Sequence, residues 1–214
     1  MNLIRPVTLS ILALMLAGRA HADIPDLDSA VAHMGIGAGI TFNKPTNNDG
    51  NSARGVAFVY RWHSFHSGWG PTFGIDWHST DYNSANAPFG TLRTRALLAG
   101  YGHTKKIGRF SASASMSAGY SFNDFSVASA AGPTFASAGV TLLGVSVGNS
   151  AVLKPEVAAW YDVFRHVGIG VSAAYLVTRP SETLTTATGT QVLHLRGDEF
   201  ELTAGVTVGV WKKR

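Results

Sequence analysis

Residues 110–122, FSASASMSAGYSF, alternate without a break. Phe110, Ala112, Ala114, Met116, Ala118, Tyr120 and Phe122 share one parity, and Ser111, Ser113, Ser115, Ser117, Gly119 and Ser121 share the other. A period of two sends these sets to opposite faces of a β-strand, which a helix cannot do. The same pattern recurs in residues 34–42, 56–62, 72–78, 167–178 and 202–210. Residues 92–103 and 152–162 alternate less cleanly, and Pro155 in the latter is unusual for a central strand. Counting both predicts eight strands, most of them close to the ~9–11 residues of a tilted membrane strand.

Size decides which face is inside. An eight-stranded barrel has an interior just wide enough for side chains. The Gly, Ser, Thr and Ala parity fits that space. The parity bearing Phe58, Tyr60, Trp62, Phe73, Ile75, Trp77, Val206 and Val208 does not. It is therefore predicted to face lipid, with every backbone group still paired because the sheet closes. Only 14% of residues are charged, against about 25% in ordinary soluble domains, as a lipid-facing band requires. A soluble periplasmic lipocalin-like barrel is the alternative, but it would expose Gly and Ser and bury the bulky face.

The connections alternate as well. Residues 43–52, 79–90, 123–150 and 180–198 read as long loops, and 63–70, 104–109 and 164–166 as short turns. Long loops at one end and short turns at the other mark an outer-membrane barrel, with both termini on the periplasmic side.

The first 22 residues read as a cleaved secretory signal. Arg5 supplies the positive start, residues 7–17 the apolar run, and Ala20-His21-Ala22 the cleavage site. A single barrel domain is expected over residues 23–214. There is no Cys, which excludes disulfides and thiolate chemistry. The pI of about 9.5 is not a nucleic-acid signature, because 17 basic residues face 13 acidic ones and cluster only at Lys212-Lys213-Arg214.

On this pattern the chain resembles the small eight-stranded outer-membrane β-barrel proteins of the OmpA-transmembrane or OmpX type. The resemblance implies a monomer in the outer-membrane bilayer, inserted by the barrel assembly machinery. Such barrels usually end in an aromatic residue. Here Trp211 is followed by three basic residues.

Arg61, Asp76, Arg93, Arg95, Lys154 and Glu156, with Glu201, are assigned to the small-residue parity. They are predicted to pair as a polar network in the lumen, since an unpaired buried charge is costly. Phe42, Trp77, Tyr120, Phe122 and Tyr175 are predicted to form the outer aromatic belt, and Tyr60, Trp62 and Tyr161 the periplasmic one. Tyr101 and Trp211 fall on the wrong parity for lipid.

No catalytic set, metal site or cofactor motif is legible. His63 and His66 lack a third ligand at useful spacing and an acid partner for a Ser–His hydrolase. Gly35, Gly37 and Gly39 follow strict period two with no helix after them, unlike a nucleotide-binding turn. Residues 138–147 either extend neighbouring strands or add a hairpin, giving ten strands. The expected function is that of an integral outer-membrane protein with a structural or surface-exposed, non-catalytic role. The alternatives are a narrow channel for small or hydrophobic solutes and a lipid A deacylase-like hydrolase.

Overall fold

The structure is a computed structural model that describes residues 35–46, 53–61, 67–84, 87–137, 139–164, 167–194 and 197–209. The expected signal segment, Trp62, His63, His66, Trp211 and the basic C-terminus lie outside the described residues. So do the side chains of Tyr60 and Arg61, whose backbones are placed.

The alternating segments close into a barrel. Its strands are β1 (Gly35–Pro45), β2 (Ala53–Arg61), β3 (Gly68–Ser84), β4 (Ala87–Ile107), β5 (Phe110–Val127), β7 (Ser150–Phe164), β8 (Val167–Thr178) and β11 (Glu199–Gly209). They run antiparallel in the order β1-β11-β8-β7-β5-β4-β3-β2. Between them in sequence lie a short helix, α1 (Ala131–Ser137), and the strands β6 (Leu142–Val147), β9 (Ser181–Thr186) and β10 (Gly189–His194). These three strands form a separate sheet of order β10-β9-β6 at the long-connection end. Of the two alternatives for residues 138–147, neither holds. Most of the segment is β6, which joins this cap and adds no barrel strand.

Side chains alternate as the sequence requires. The outer face exposes large apolar groups, among them Ile40 at 56%, Val56 at 56%, Trp77 at 52% and Val171 at 58%. Thr41, Asp76, Lys154, Ser117, Glu201 and Thr207 are buried on the inner face. Polar inside and apolar outside is the arrangement of a membrane barrel, not of a soluble one.

Two loop expectations change. Residues 79–90 are mostly strand, because β3 and β4 continue as a hairpin past the membrane. β4 has 21 residues, roughly twice the ~9–11 that span a bilayer. Residues 180–198 hold the β9–β10 hairpin. Pro155 stays inside β7. It lacks an N–H to donate, and the β7–β8 pairing skips from Leu153↔Val177 to Glu156↔Ala174.

One inner-wall contact explains a row of small residues. Gly39 pairs with Gly205, Gly205 with Gly170, and Gly170 with Trp160. A Cβ on Gly170 would lie 2.3 Å from Trp160 Cε3. The missing side chain is the space the buried indole occupies. In the cap, α1 ends in a Schellman turn. Gly139, at φ 75°, donates to Ala136 O, and Val140 N–H reaches Phe135 O. Phe89 packs against Phe125 and Phe135, tying α1 to β4 and β5.

Candidate functional site: the lumen

Inward parity on β3, β7 and β11 brings one cation and three carboxylates together. Lys154 Nζ on β7 lies 2.9 Å from Asp76 Oδ2 on β3 and 2.7 Å from Glu201 Oε1 on β11. Glu156 Oε2, two residues along β7, is 3.5 Å away. Thr203 Oγ1 donates to Glu201 Oε1 at 3.1 Å. Since β3, β7 and β11 are not neighbours in the wall, the lysine ties separate sides of the barrel across its interior. Ala96, Leu98, Val152 and Leu176 form a small buried apolar cluster of the inner face.

A second tier lies nearer the extracellular rim. Glu199 accepts from His78 Nε2 at 3.0 Å, Asn43 Nδ2 at 3.1 Å and Thr80 Oγ1 at 3.3 Å. Beside it, Ser121, Ser150 and Thr178 link hydroxyl to hydroxyl, and Arg179 pairs with Asp198. At the periplasmic mouth, Lys106 Nζ meets Asp162 Oδ2 at 2.6 Å. A cavity of about 80 Å³ reaches from Lys154 and Glu156 to Thr104, Ser113 and Trp160.

These tiers fill space and pair opposite charges. His78 and Glu199 resemble the acid–base half of a catalytic triad. Their side chains are only 2% and 5% exposed, however, and His78 Nδ1 has no hydroxyl bonded to it. Among the described residues no group of three or more His, Asp or Glu is placed to hold a metal.

Of the residues assigned to the lumen network, Asp76, Lys154, Glu156 and Glu201 are brought together. Arg93 and Arg95 are not, which corrects that assignment. On β4 the buried positions are Leu92, Thr94, Ala96 and Leu98, while Arg93 and Arg95 are exposed on the outer face. Near the rim an outward arginine costs only ~0–1 kcal/mol, against ~2–4 kcal/mol at the midplane. Arg95 stacks over the Trp77 ring, 5.2 Å from its centroid. The same correction moves Tyr101, 42% exposed, onto the lipid parity, where it stacks on Trp69. Phe42, Trp77, Tyr120, Phe122 and Tyr161 are exposed and Tyr175 half-buried on the outer face.

The sequence reading missed His78, Glu199, Asn43 and Thr80. His78 shares parity with Asp76, and Glu199 with Glu201. That signal was available for His78, which lies on the small-residue parity of residues 72–78, while Asn43 and Thr80 fell in the long connections 43–52 and 79–90 and Glu199 stood before the strand at 202–210.

No known family model matches the sequence, and no curated protein matches it. Solved structures do. The chain is similar to the outer membrane protein OprG from Pseudomonas aeruginosa, with a TM-score of 0.68 at 11% identity, covering 84% of this chain and 96% of that one. It is also similar to the E. coli outer membrane protein W, with a TM-score of 0.50 at 14% identity, covering 84% and 98%. The chain therefore has the fold of the small eight-stranded outer-membrane barrels. Its apolar outer wall and polar interior fit it to that membrane.

Proposed function

We propose that this protein is a closed outer-membrane barrel with a non-catalytic role, presenting its cap and rim to the exterior without conducting through its lumen. The supporting observation is Lys154, held within 3 Å of carboxylates on both β3 and β11. A pore would need that cross-link broken, which leaves buried charges unpaired. The lumen network acts as a structural plug, the chain works as a monomer, and the barrel assembly machinery inserts it. Planar-bilayer recording of the purified protein tests closure. Silence is expected, and stable, discrete conductance steps would overturn it.

One observation favours a second reading, a route for small apolar solutes. An apolar furrow on the outer wall, along Ala38, Ile40, Ala204 and Ile169, shares Gly170, Gly205 and Trp160 with the lumen cavity. Uptake of an apolar dye into vesicles carrying the barrel, above that of empty vesicles, would support this reading. Equal uptake removes it.

A further inference from the structure

Three outward cations near the extracellular rim, Arg54, Arg93 and Arg95, lack carboxylate partners among the described residues, unlike Arg179, which pairs with Asp198. Arg54 on β2 stands opposite Phe42 of β1 on one side and Ser79 of β3 on the other. Arg93 on β4 stands opposite the same Ser79. Arg54, Ser79 and Arg93 thus form one row across three adjacent strands, all on the outward parity. Adjacent strands are ~4.8 Å apart, so the arginine Cα atoms stand about 10 Å apart with a serine hydroxyl between them. Asp124 lies opposite Arg93 on β5, yet no ion pair engages Arg54, Arg93 or Arg95 among the described residues.

Aromatic rings flank the row. The Arg54 guanidinium lies 6.0 Å from the Phe42 ring centroid, and Arg95, one pleat below Arg93, covers Trp77. Such stacking holds a guanidinium at a fixed level while leaving its N–H donors free. Toward the membrane centre the same strands present Val56, Phe58, Ile75 and Leu97, all exposed and apolar.

We propose that Arg54, Ser79 and Arg93 form a docking site for the phosphate of an anionic lipid in the outer leaflet. Each guanidinium offers a fork of N–H donors that matches an oxyanion of phosphate, and the serine hydroxyl between the two strands supplies a further donor. The apolar wall below fits acyl chains, which selects a membrane-held phosphate over a free one. The site does not depend on whether the lumen conducts.

Native mass spectrometry of the barrel released from phosphatidylcholine nanodiscs containing lipid A tests this. The wild-type barrel is expected to retain lipid A and not its dephosphorylated form. Millimolar inorganic phosphate should not displace it. Arg93→Gln should weaken retention about fivefold and the Arg54→Gln/Arg93→Gln pair roughly 25-fold, taking about fivefold for each basic residue at an anionic surface. Lys105→Gln, an outward cation at the periplasmic end, should change nothing. Heat-modifiable gel migration checks that each variant is folded. If the double variant fails to fold, the single variant decides alone. Wild-type retention by the arginine variants, equal retention of the dephosphorylated lipid, or displacement by inorganic phosphate would each overturn the proposal.

Discussion

Lys154 and Arg95 are both cations on barrel strands, and they are satisfied in opposite ways. Lys154 faces the lumen, is nearly buried, and is surrounded by Asp76, Glu201 and Glu156. Arg95 faces outward, is exposed, and meets a Trp77 ring instead of a carboxylate. Lys154 is shielded from bulk solvent and from headgroups, so the inner surface must supply its counter-charges. The outer surface near the rim has both. Depth in the membrane and access to solvent, more than side-chain size, decide where a barrel can place an arginine.

The comparison can be broken most sharply from the inside. Lys154→Met leaves the surrounding carboxylates without their cation. Stability in detergent, read by urea unfolding, should fall by about 3–5 kcal/mol. A loss no larger than that of an outer-rim substitution would erase the distinction. Next comes Gly170→Ala, whose new Cβ collides with Trp160. Overpacking of this kind costs about 1–3 kcal/mol, whereas Ala204→Val, on the outward parity of the neighbouring β11, should stay near wild type. Both are read from the same unfolding curves.

Smaller effects belong to the exterior. Trp77→Ala removes the ring beneath Arg95, and the stacking itself is worth about 0.5–1 kcal/mol at an exposed site. A double-mutant cycle with Arg95→Ala should recover a coupling of that size. Smallest is a pH effect in the cap. Burial in β9 pushes the Glu182 carboxyl above its ordinary value. A carboxyl raised on folding makes the native cap bind more protons than the unfolded chain. Its stabilising contribution is full below the unfolded pKa and is lost as pH rises through the folded one. Amide exchange in β9 and β10 should therefore slow on acidification after correction for intrinsic rates. Glu182→Gln should remove that dependence.

Much of the barrel was legible because period two is a strong signal wherever one face is polar or small. Residues 110–122 carry it unbroken, and residues 167–178 break it only at Leu176, which points inward. It failed where both faces mix sizes. On β4, Leu92 and Leu98 point inward while Arg93, Arg95 and Ala99 point outward, so a rule of small residues inside reads the strand one residue out of step. The cap was illegible for another reason. Residues 181–194, SETLTTATGTQVLH, are Thr-rich and weakly alternating, and their pairing with β6 is a contact between segments distant in sequence. Asp76, Lys154, Glu156 and Glu201 could be placed in one set by parity alone. That Lys154 joins Asp76 to Glu201, and that Glu199 repeats the arrangement one pleat above, required the register of the strands against one another.

The central claim is that the lumen is held shut by charges paired across it. A double-mutant cycle between Lys154→Met and Asp76→Asn, measured by equilibrium unfolding in detergent, tests it most directly. A coupling of about 1–3 kcal/mol is predicted, with the double variant less destabilised than the two single losses added together. Strict additivity would mean that the two groups do not interact across the barrel, and would contradict the account.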